Sequence, residues 1–188
     1  VFRQLFKTTE IKRITDEFQT VLQTVGGGDQ HDGSKRTIIV PTIDHNEYLC
    51  TLLDDPRIVG ITSAILGPDF NYASGDGNYY SGDTGWHADG RYPELFAIKM
   101  AFYLDPVTRD TGCLRVIPGS HHPDSPWQQK GMQPGQAEEA WGIDPFDIPG
   151  QMALETRPGD LAVFCHDLLH ASFGGSTRRR MFTMNMTK

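Results

Sequence analysis

The chain has 188 residues, with 17 Lys and Arg against 24 Asp and Glu, so its formal net charge is −7. This length predicts a single domain over residues 1–188. The acidic balance argues against nucleic acid or an anionic membrane as a partner, because both attract basic surfaces.

Residues 1–68 are predicted to form a helical prelude. Apolar residues at spacings of three and four in residues 8–25 indicate one amphipathic helix. A glycine run ends this helix, and residues 26–36 are predicted to be a mobile loop. Two shorter helices are predicted over residues 46–54 and 56–66, with the break at Pro56.

Residues 69–188 are predicted to form a β core, because short β segments alternate there with turn signals. The predicted strands cover residues 71–74, 78–81, 96–104, 112–117, 151–155, 160–164, 170–173 and 179–186. Together with 20 Gly and 12 Pro, this number of short strands favours an antiparallel sandwich or jelly roll. Residues 122–150 are rich in Pro, Gly, Gln and Trp, and are predicted to be a lid or a loop insertion.

The cysteines and the lengths of the apolar runs indicate in which cellular compartment the protein acts. Cys50, Cys113 and Cys165 are odd in number and widely spaced, which predicts reduced thiols and no disulfide framework. No apolar run approaches the ~18 residues of a membrane span, and no signal peptide is visible. We therefore expect a cytoplasmic protein without a membrane partner. The abrupt ends of the chain suggest that it is the ordered part of a longer one.

A candidate metal site begins in the run GWHADG at residues 85–90. Residues i and i+2 of an extended chain point to the same side, so His87 and Asp89 are predicted to converge on one point. An imidazole nitrogen and a carboxylate oxygen would then supply two ligands for a metal.

A second histidine segment, residues 164–170, has two interpretations. As a helix, it would place His166 and His170 one turn apart, with Asp167 where zinc proteases of the H-E-x-x-H type carry a glutamate. As a strand, a turn and a strand, it would direct only one of the two histidines into a site. The strand character of residues 160–164 and the glycines at 174–175 favour the second interpretation.

Combining the two segments gives His87, Asp89 and His170. Two histidines and one carboxylate form the facial triad of non-haem iron(II) oxygenases, which leaves positions open for a co-substrate and dioxygen. A 2-oxo acid co-substrate needs a permanently charged partner for its far carboxylate, and arginine suits that role best. Arg178, Arg179 and Arg180 open the last predicted strand, in which residues 179, 181 and 183 share one face.

Three segments carry a resemblance to a known family. They are WHAD at 86–89, the hairpin run TGCLRVIPGSH at 111–121 after AFYLD at 101–105, and PGD at 158–160 followed by Phe164 and His170. Together they resemble the phytanoyl-CoA dioxygenase family of iron(II)/2-oxoglutarate-dependent oxygenases. The matching motifs run from about residue 76 to residue 186.

The resemblance implies a double-stranded β-helix, which is a distorted jelly roll, with N-terminal helices packed on one side. It implies iron(II) ligands at His87, Asp89 and His170, and it implies 2-oxoglutarate and O2 as co-substrates. Arg179 is then expected to bind the 2-oxoglutarate carboxylate with help from Ser172. The remaining candidates for 2-oxoglutarate binding are Arg180, as the alternative to Arg179, and Asn78 or Tyr80 on the strand before the metal motif.

The expected reaction is hydroxylation of an aliphatic C–H bond of a small molecule, with release of succinate and CO2. Desaturation or ring closure are variants that the residues do not separate, while Asp89 disfavours halogenation because halogenating relatives carry a small residue there. Substrate-pocket candidates are Arg91, Tyr92, Arg115, Trp127 and Trp141. His121 and His122 are expected to order a turn beside the site.

Two other functions remain open at this point. One is a zinc hydrolase that uses His166, Asp167 and His170. The other is a non-catalytic jelly-roll binding module that retains the triad as a relic, although a relic would be free to lose any of the triad residues or Arg179.

Overall fold

A computed structural model of the protein contains two facing antiparallel β-sheets, with helices packed against the larger one. It describes residues 1–26, 36–90, 96–129, 139, 142–175 and 178–188. The helices are α1 (Thr8–Thr24), α2 (Glu47–Cys50), α3 (Pro56–Leu66) and α4 (Pro126–Gln129), with 3-10 turns at Ile43–His45 and Thr51–Asp54. The strands are β1 (Thr37–Ile39), β2 (Asn71–Ser74), β3 (Gly77–Tyr80), β4 (Thr84–His87), β5 (Ala97–Tyr103), β6 (Leu114–Val116), β7 (Met152–Leu154), β8 (Ala162–Cys165), β9 (His170–Ser172) and β10 (Arg179–Thr187).

The larger sheet has six strands in the order β1-β3-β10-β5-β8, with β2 also paired to β10. The smaller sheet has the order β4-β9-β6-β7. The pairings within both sheets are antiparallel. This arrangement confirms the mainly β fold with N-terminal helices that the sequence predicted.

Local sequence signals explain the helix boundaries. At the start of α1, the Lys7 backbone N–H donates to the Glu10 carboxylate at 2.7 Å, which satisfies one of the unpaired donors of the first turn. Helix α3 begins at Pro56 because the Asp55 side chain accepts the Arg57 backbone N–H at 2.9 Å. It ends at Gly67, whose φ of +92° favours glycine.

Alternation along β5 and β10 separates a helix-facing core from the interior of the sandwich. Met100, Phe102, Phe182 and Met184 face the helices and are buried. The rings of Phe102 and Phe182 stack with centroids 4.6 Å apart, and Phe18 of α1 lies 5.8 Å from Phe182. The alternate residues of both strands face the smaller sheet, where the functional candidates lie.

All eight predicted strands form, with ends within two residues of the prediction. Two further strands were not predicted. Strand β4 carries the metal motif, and β1 lies inside the predicted helical prelude, where its β-branched Thr37-Ile38-Ile39 run pairs with β3. The division near residue 69 is therefore corrected, because a segment before it contributes to the larger sheet.

Some predictions fall partly or wholly outside the described residues. These are the mobile loop, of which residues 27–35 are not described, and the middle of the predicted lid at 130–138 and 140–141. Among the helices of the described ranges, none combines the length and apolar character needed to cross a membrane.

Removing the Phe182 ring is expected to lower the free energy of unfolding by about 3–5 kcal/mol, because Phe182 is fully buried and stacked on Phe102. The measurement is chemical denaturation of Phe182→Ala. Ile65→Ala is the matched control, since Ile65 is 43 % exposed on α3 and should cost far less. Equal losses in the two variants would contradict this account of the core.

Candidate metal and anion site

Pairing between β4 and β9 brings the predicted metal ligands together. His87 lies directly opposite His170 in the ladder, and the two ring centroids are 4.2 Å apart. Asp89 follows β4, and its backbone N–H donates to the His166 carbonyl at 3.0 Å, which fixes the chain beyond the strand. The possible ligand atoms of His87, Asp89 and His170 all lie within 4.8 Å of one another.

Two backbone carbonyls set the orientation of both imidazoles. Nδ1 of His87 lies 2.9 Å from the Gly85 carbonyl, and Nδ1 of His170 lies 2.9 Å from the Leu168 carbonyl. A carbonyl only accepts, so each Nδ1 is assigned the proton and each Nε2 keeps a free lone pair. Metal-binding histidines are commonly fixed in this way.

Only one oxygen of the Asp89 carboxylate has a hydrogen-bond partner among the described residues. Its Oδ1 lies 2.9 Å from the Lys99 ammonium group, whereas its buried Oδ2 has no hydrogen-bond partner among the described residues. Burial, the largest single influence, raises the pKa of Asp89, but the charge and hydrogen bond of Lys99 together with the nearby His170 and His166 hold this pKa below its ordinary value. An ionised carboxylate with a free buried oxygen fits a cation at this point.

For His170, which faces Asp89 across the site, burial lowers the pKa to about 4, because the charged imidazolium would lose its hydration. His170 is therefore neutral at pH 7 and able to offer Nε2 to a metal. Nε2 of His170 lies 3.6 Å from Oδ2 of Asp89.

Arg179 presents a buried positive charge at the other end of the site. It is 1 % exposed, and its Nη2 donates to the Gly82 carbonyl and to Ser172 Oγ, each at 2.9 Å. Among the described residues, its Nε and Nη1 have no hydrogen-bond partner. Across the described part of the chain, no acidic side chain pairs with this guanidinium. Such a group fits an anionic ligand, because a buried and unpaired charge is costly.

Glycines make room for the Arg179 guanidinium. Gly112 has a φ of +90°, and a Cβ there would lie 2.5 Å from Cζ of Arg179. A Cβ at Gly175 would lie 2.5 Å from Nη1. The ring of Tyr80 covers one face of the guanidinium at 4.1 Å. Any larger residue at the two glycines would displace the arginine.

A cavity of about 240 Å³ lies between the two sheets and joins these groups. The metal candidates lie on its wall with Tyr80 and Ser172, which both contact Arg179. Apolar side chains of Leu114, Phe164 and Met181 also line the cavity, as do the charged residues Arg36 and Lys99.

The structure corrects the assignment of Arg180 as a possible 2-oxoglutarate ligand. Because side chains alternate along β10, Arg180 points away from the cavity while Arg179 points toward it. The Arg180 guanidinium instead pairs with the Asp105 carboxylate at 2.7 Å, and this pairing raises the pKa of Arg180.

Residues 164–170 form a strand, a turn and a strand, so the helical interpretation is wrong. Strand β8 ends at Cys165 and β9 begins at His170. The His166 ring lies toward Asn185 Oδ1, at 3.2 Å from Nε2. Within the described chain, the candidate metal cluster contains His87, Asp89 and His170, and neither His166 nor Asp167 belongs to it. The zinc-hydrolase arrangement is thereby excluded.

The two weaker candidates for 2-oxoglutarate binding both line the cavity. The Asn78 amide is already engaged, since its oxygen accepts from Arg36 Nε at 3.0 Å and its nitrogen donates to the Asp76 carboxylate. Tyr80 lies with its ring between the guanidiniums of Arg36 and Arg179. Their role toward 2-oxoglutarate stays a prediction.

Arg115 and Trp127 do not line the cavity, contrary to the expectation for the substrate pocket. Arg115 alternates with the cavity residue Leu114 on β6, and its Nη1 donates to the Phe146 carbonyl at 2.9 Å on the outer side of the smaller sheet. Trp127 packs against the apolar cluster on that same outer side. The other pocket candidates, Arg91, Tyr92 and Trp141, lie outside the described residues.

The hairpin after β6 contacts the chain next to His170, one of the predicted metal ligands. The His122 backbone N–H donates to the Gly119 carbonyl at 3.1 Å, which agrees with the predicted turn. Ser120 was not predicted, although it is buried and its Oγ accepts the Leu169 backbone N–H at 2.9 Å. This bond fixes the chain next to His170.

Lys99 is the main site residue that the sequence analysis missed. A signal for it existed, because Lys99 stands between Ala97 and Ala101 on the interior face of a strand that is otherwise buried. A lone charge at such a position needs a partner. That the partner is Asp89 depends on how the two sheets face each other, which local patterns do not specify.

The chain is similar to known proteins in sequence and in fold. The phytanoyl-CoA dioxygenase (PhyH) family profile matches residues 1–182. Ectoine dioxygenase from Sphingopyxis alaskensis is 26 % identical over 151 residues, which cover 69 % of this chain and 49 % of that protein. The chain thus spans about half the length of this curated relative.

Solved structures share the fold at low sequence identity. HygX from Streptomyces hygroscopicus, solved with nickel and 2-oxoglutarate bound, superposes with a TM-score of 0.79 at 16 % identity, covering 98 % of this chain and 80 % of HygX. The non-heme alpha ketoglutarate dependent carbocyclase SnoK from nogalamycin biosynthesis has a TM-score of 0.75 at 19 % identity, covering 100 % of this chain and 78 % of SnoK. These likenesses confirm the predicted double-stranded β-helix.

Acid is expected to destabilise the metal-free protein through His170. Above the ordinary histidine pKa of about 6.5, both the folded and the unfolded chain hold His170 neutral. As the pH falls toward about 4, His170 takes up a proton in the unfolded chain but stays largely neutral in the folded chain. The free energy of unfolding therefore falls.

Chemical denaturation in the presence of a chelator measures this effect. Between pH 7 and pH 4, the wild type should lose about 3 kcal/mol more unfolding free energy than His170→Gln, which has no proton to gain. Parallel losses in the two proteins would contradict the assignment of a buried neutral His170.

Proposed function

Because the chain belongs to the phytanoyl-CoA dioxygenase family, we propose that it hydroxylates an aliphatic C–H bond of a small molecule. The family match supports the predicted class of enzyme, an iron(II)- and 2-oxoglutarate-dependent oxygenase. The observation that carries the proposal is one cavity holding a two-histidine, one-carboxylate cluster near a buried arginine without an acidic partner.

His87, Asp89 and His170 are proposed to hold iron(II). Support comes from the donor set, from the two Nε2 atoms left free by the Nδ1 contacts, and from the orphaned Oδ2 of Asp89. The carboxylate at Asp89 also argues against halogenation, which needs that ligand position to be free. When bound, the iron supplies the activation of dioxygen, with 2-oxoglutarate giving up the electrons and leaving as succinate and CO2.

Arg179 is proposed to bind the far carboxylate of 2-oxoglutarate, with Ser172 helping by holding the guanidinium in place. Arg179 has Nε and Nη1 available as donors, and Ser172 Oγ is held between Arg179 Nη2 and the Gly112 carbonyl, to which it donates at 2.8 Å. Both residues lie on strands of a rigid sandwich, so the guanidinium is placed before the ligand arrives. Little ordering cost then remains for binding.

The rest of the cavity is proposed to orient the C–H bond and to exclude water. The apolar side chains of Leu114, Phe164 and Met181 suit both tasks beside the metal cluster. Desaturation or ring closure would use the same residues, and the distinction rests on the product.

We also propose that the protein acts in the cytoplasm. Cys50, Cys113 and Cys165 are all free thiols in the fold, and Cys113 is fully buried. Free cysteines are typical of reducing compartments.

Purified protein with iron(II) is expected to convert 2-oxoglutarate to succinate slowly, and faster when a metabolite panel contains the substrate. His87→Ala should abolish metal binding and turnover, because it removes one of three ligands. His166→Ala is the matched control and should keep both, since its ring lies toward Asn185.

The product identifies the reaction type by mass spectrometry. Gain of one oxygen atom supports hydroxylation, whereas loss of two hydrogen atoms indicates desaturation or ring closure. Absence of iron binding and of 2-oxoglutarate turnover in the wild type across the panel would overturn the proposed function.

Arg179→Lys is expected to raise the KM for 2-oxoglutarate by about 10–200-fold, since a charge-assisted hydrogen bond is worth ~1.5–3 kcal/mol. Metal affinity should stay close to that of the wild type, because Arg179 is not a ligand. Arg178→Lys is the control, since Arg178 is exposed next to it in sequence. An unchanged KM in Arg179→Lys would place the co-substrate elsewhere.

A further inference from the structure

Lys99 is a buried charge that the proposed chemistry has not used. It lies on β5 of the larger sheet, its side chain is 12 % exposed, and it crosses the interior to reach Asp89 of the smaller sheet. The Nζ–Oδ1 distance is 2.9 Å, so the contact is a charge-assisted hydrogen bond. Lys99 thus contacts a proposed metal ligand directly.

Asp76 holds the same ammonium group from behind. Its Oδ1 lies 3.7 Å from Lys99 Nζ. Asp76 is itself fixed by Thr183 of β10, whose hydroxyl donates to Asp76 Oδ1 at 2.6 Å, and by the amide of Asn78. The lysine head therefore lies between two carboxylates, of which one is anchored to the larger sheet and the other belongs to the metal cluster.

This arrangement leaves the two oxygens of Asp89 in different states. Oδ1 is hydrogen-bonded to Lys99 and lies 3.9 Å from His87 Nε2, whereas Oδ2 is buried, has no hydrogen-bond partner among the described residues and lies 3.6 Å from His170 Nε2. A carboxylate with both oxygens free can chelate a metal and occupy two coordination positions. A three-ligand site keeps positions open for other ligands only if the carboxylate occupies a single coordination position.

We infer that Lys99 is a positioning residue, which holds Asp89 by Oδ1 so that Oδ2 alone is presented to the metal. The inference rests on the proposed metal site. Asp76 keeps Lys99 in place, and the chain Asp76–Lys99–Asp89 thereby links the larger sheet to the ligands on the smaller one. Lys99 touches neither substrate nor metal in this role.

Removing the amine should weaken metal binding and change its geometry. In Lys99→Met, a side chain of similar length without charge, Asp89 is free to rotate or to chelate. We expect the affinity for Co(II) to fall by about 10–100-fold, the usual effect of losing an outer partner of a ligand. The Co(II) absorption bands should also change in intensity, because they report coordination number.

Companion variants separate positioning from general disruption. Lys99→Arg keeps a charged donor for Oδ1 and should restore most of the affinity and the wild-type spectrum. Asp76→Asn leaves Lys99 in place but removes the charge behind it, so it should change the spectrum in the same direction as Lys99→Met, though less. Lys12→Met is the control, since Lys12 is an exposed lysine on α1 and should match the wild type.

Each outcome of the Co(II) titration is decisive. A weakened, altered site in Lys99→Met with rescue in Lys99→Arg supports the inference. If Lys99→Met shows no cooperative unfolding transition, it is not properly folded. The comparison of Asp76→Asn with Lys99→Arg then tests the inference in its place. Superposable spectra and affinities within about twofold of the wild type in both Lys99→Met and Asp76→Asn overturn it. A wild type that binds no Co(II), like His87→Ala, overturns the proposed metal site as well.

Discussion

The pairing of the three-residue strand β9 with β4 on one side and β6 on the other determines where each functional group of the site lies. His170 is placed opposite His87, and Ser172 is placed opposite Leu114. Because strand side chains alternate, the His170 and Ser172 side chains face the cavity, while the Ala171 side chain packs in the apolar cluster with Trp86 and Phe173. One short strand thus supplies both a proposed metal ligand and the hydroxyl that contacts Arg179.

Two charged side chains at this site are left partly unsatisfied by the described residues. Among them, Asp89 keeps a carboxylate oxygen without a hydrogen-bond partner, and Arg179 keeps two such donors. Each would be costly if the cavity stayed without ligands, so the fold accepts a loss of stability that a cation and an anion would offset on binding. The Phe18, Phe102 and Phe182 core on the other face of the larger sheet contributes stability independently of the site.

On the outer face of the smaller sheet, the end of the predicted lid segment contacts the chain of β4 and β9, which carry His87 and His170. Trp86 precedes His87, and its indole N–H donates to the Pro145 carbonyl. Phe173 follows Ser172, and its ring packs on Phe146 at 4.5 Å. The described residues 142–150 therefore pack behind the site, and none of them lines the cavity. This contact links residues 142–150 to the backbone that carries His87 and His170.

Local patterns in the sequence determined eight of the ten described strands, the helices α1 to α3 and the candidate triad His87, Asp89 and His170, while the choice of Arg179 came from the family resemblance. The strands, the helices and the triad follow from alternation, spacing and motif, which act over a few neighbouring residues. The tertiary structure alone decided that Arg180 pairs with Asp105, that Arg115 faces outward, and that Lys99 reaches Asp89. Each of these depends on how distant segments pair or how the two sheets face each other, and a contact between residues far apart in sequence leaves no periodic signal in either segment.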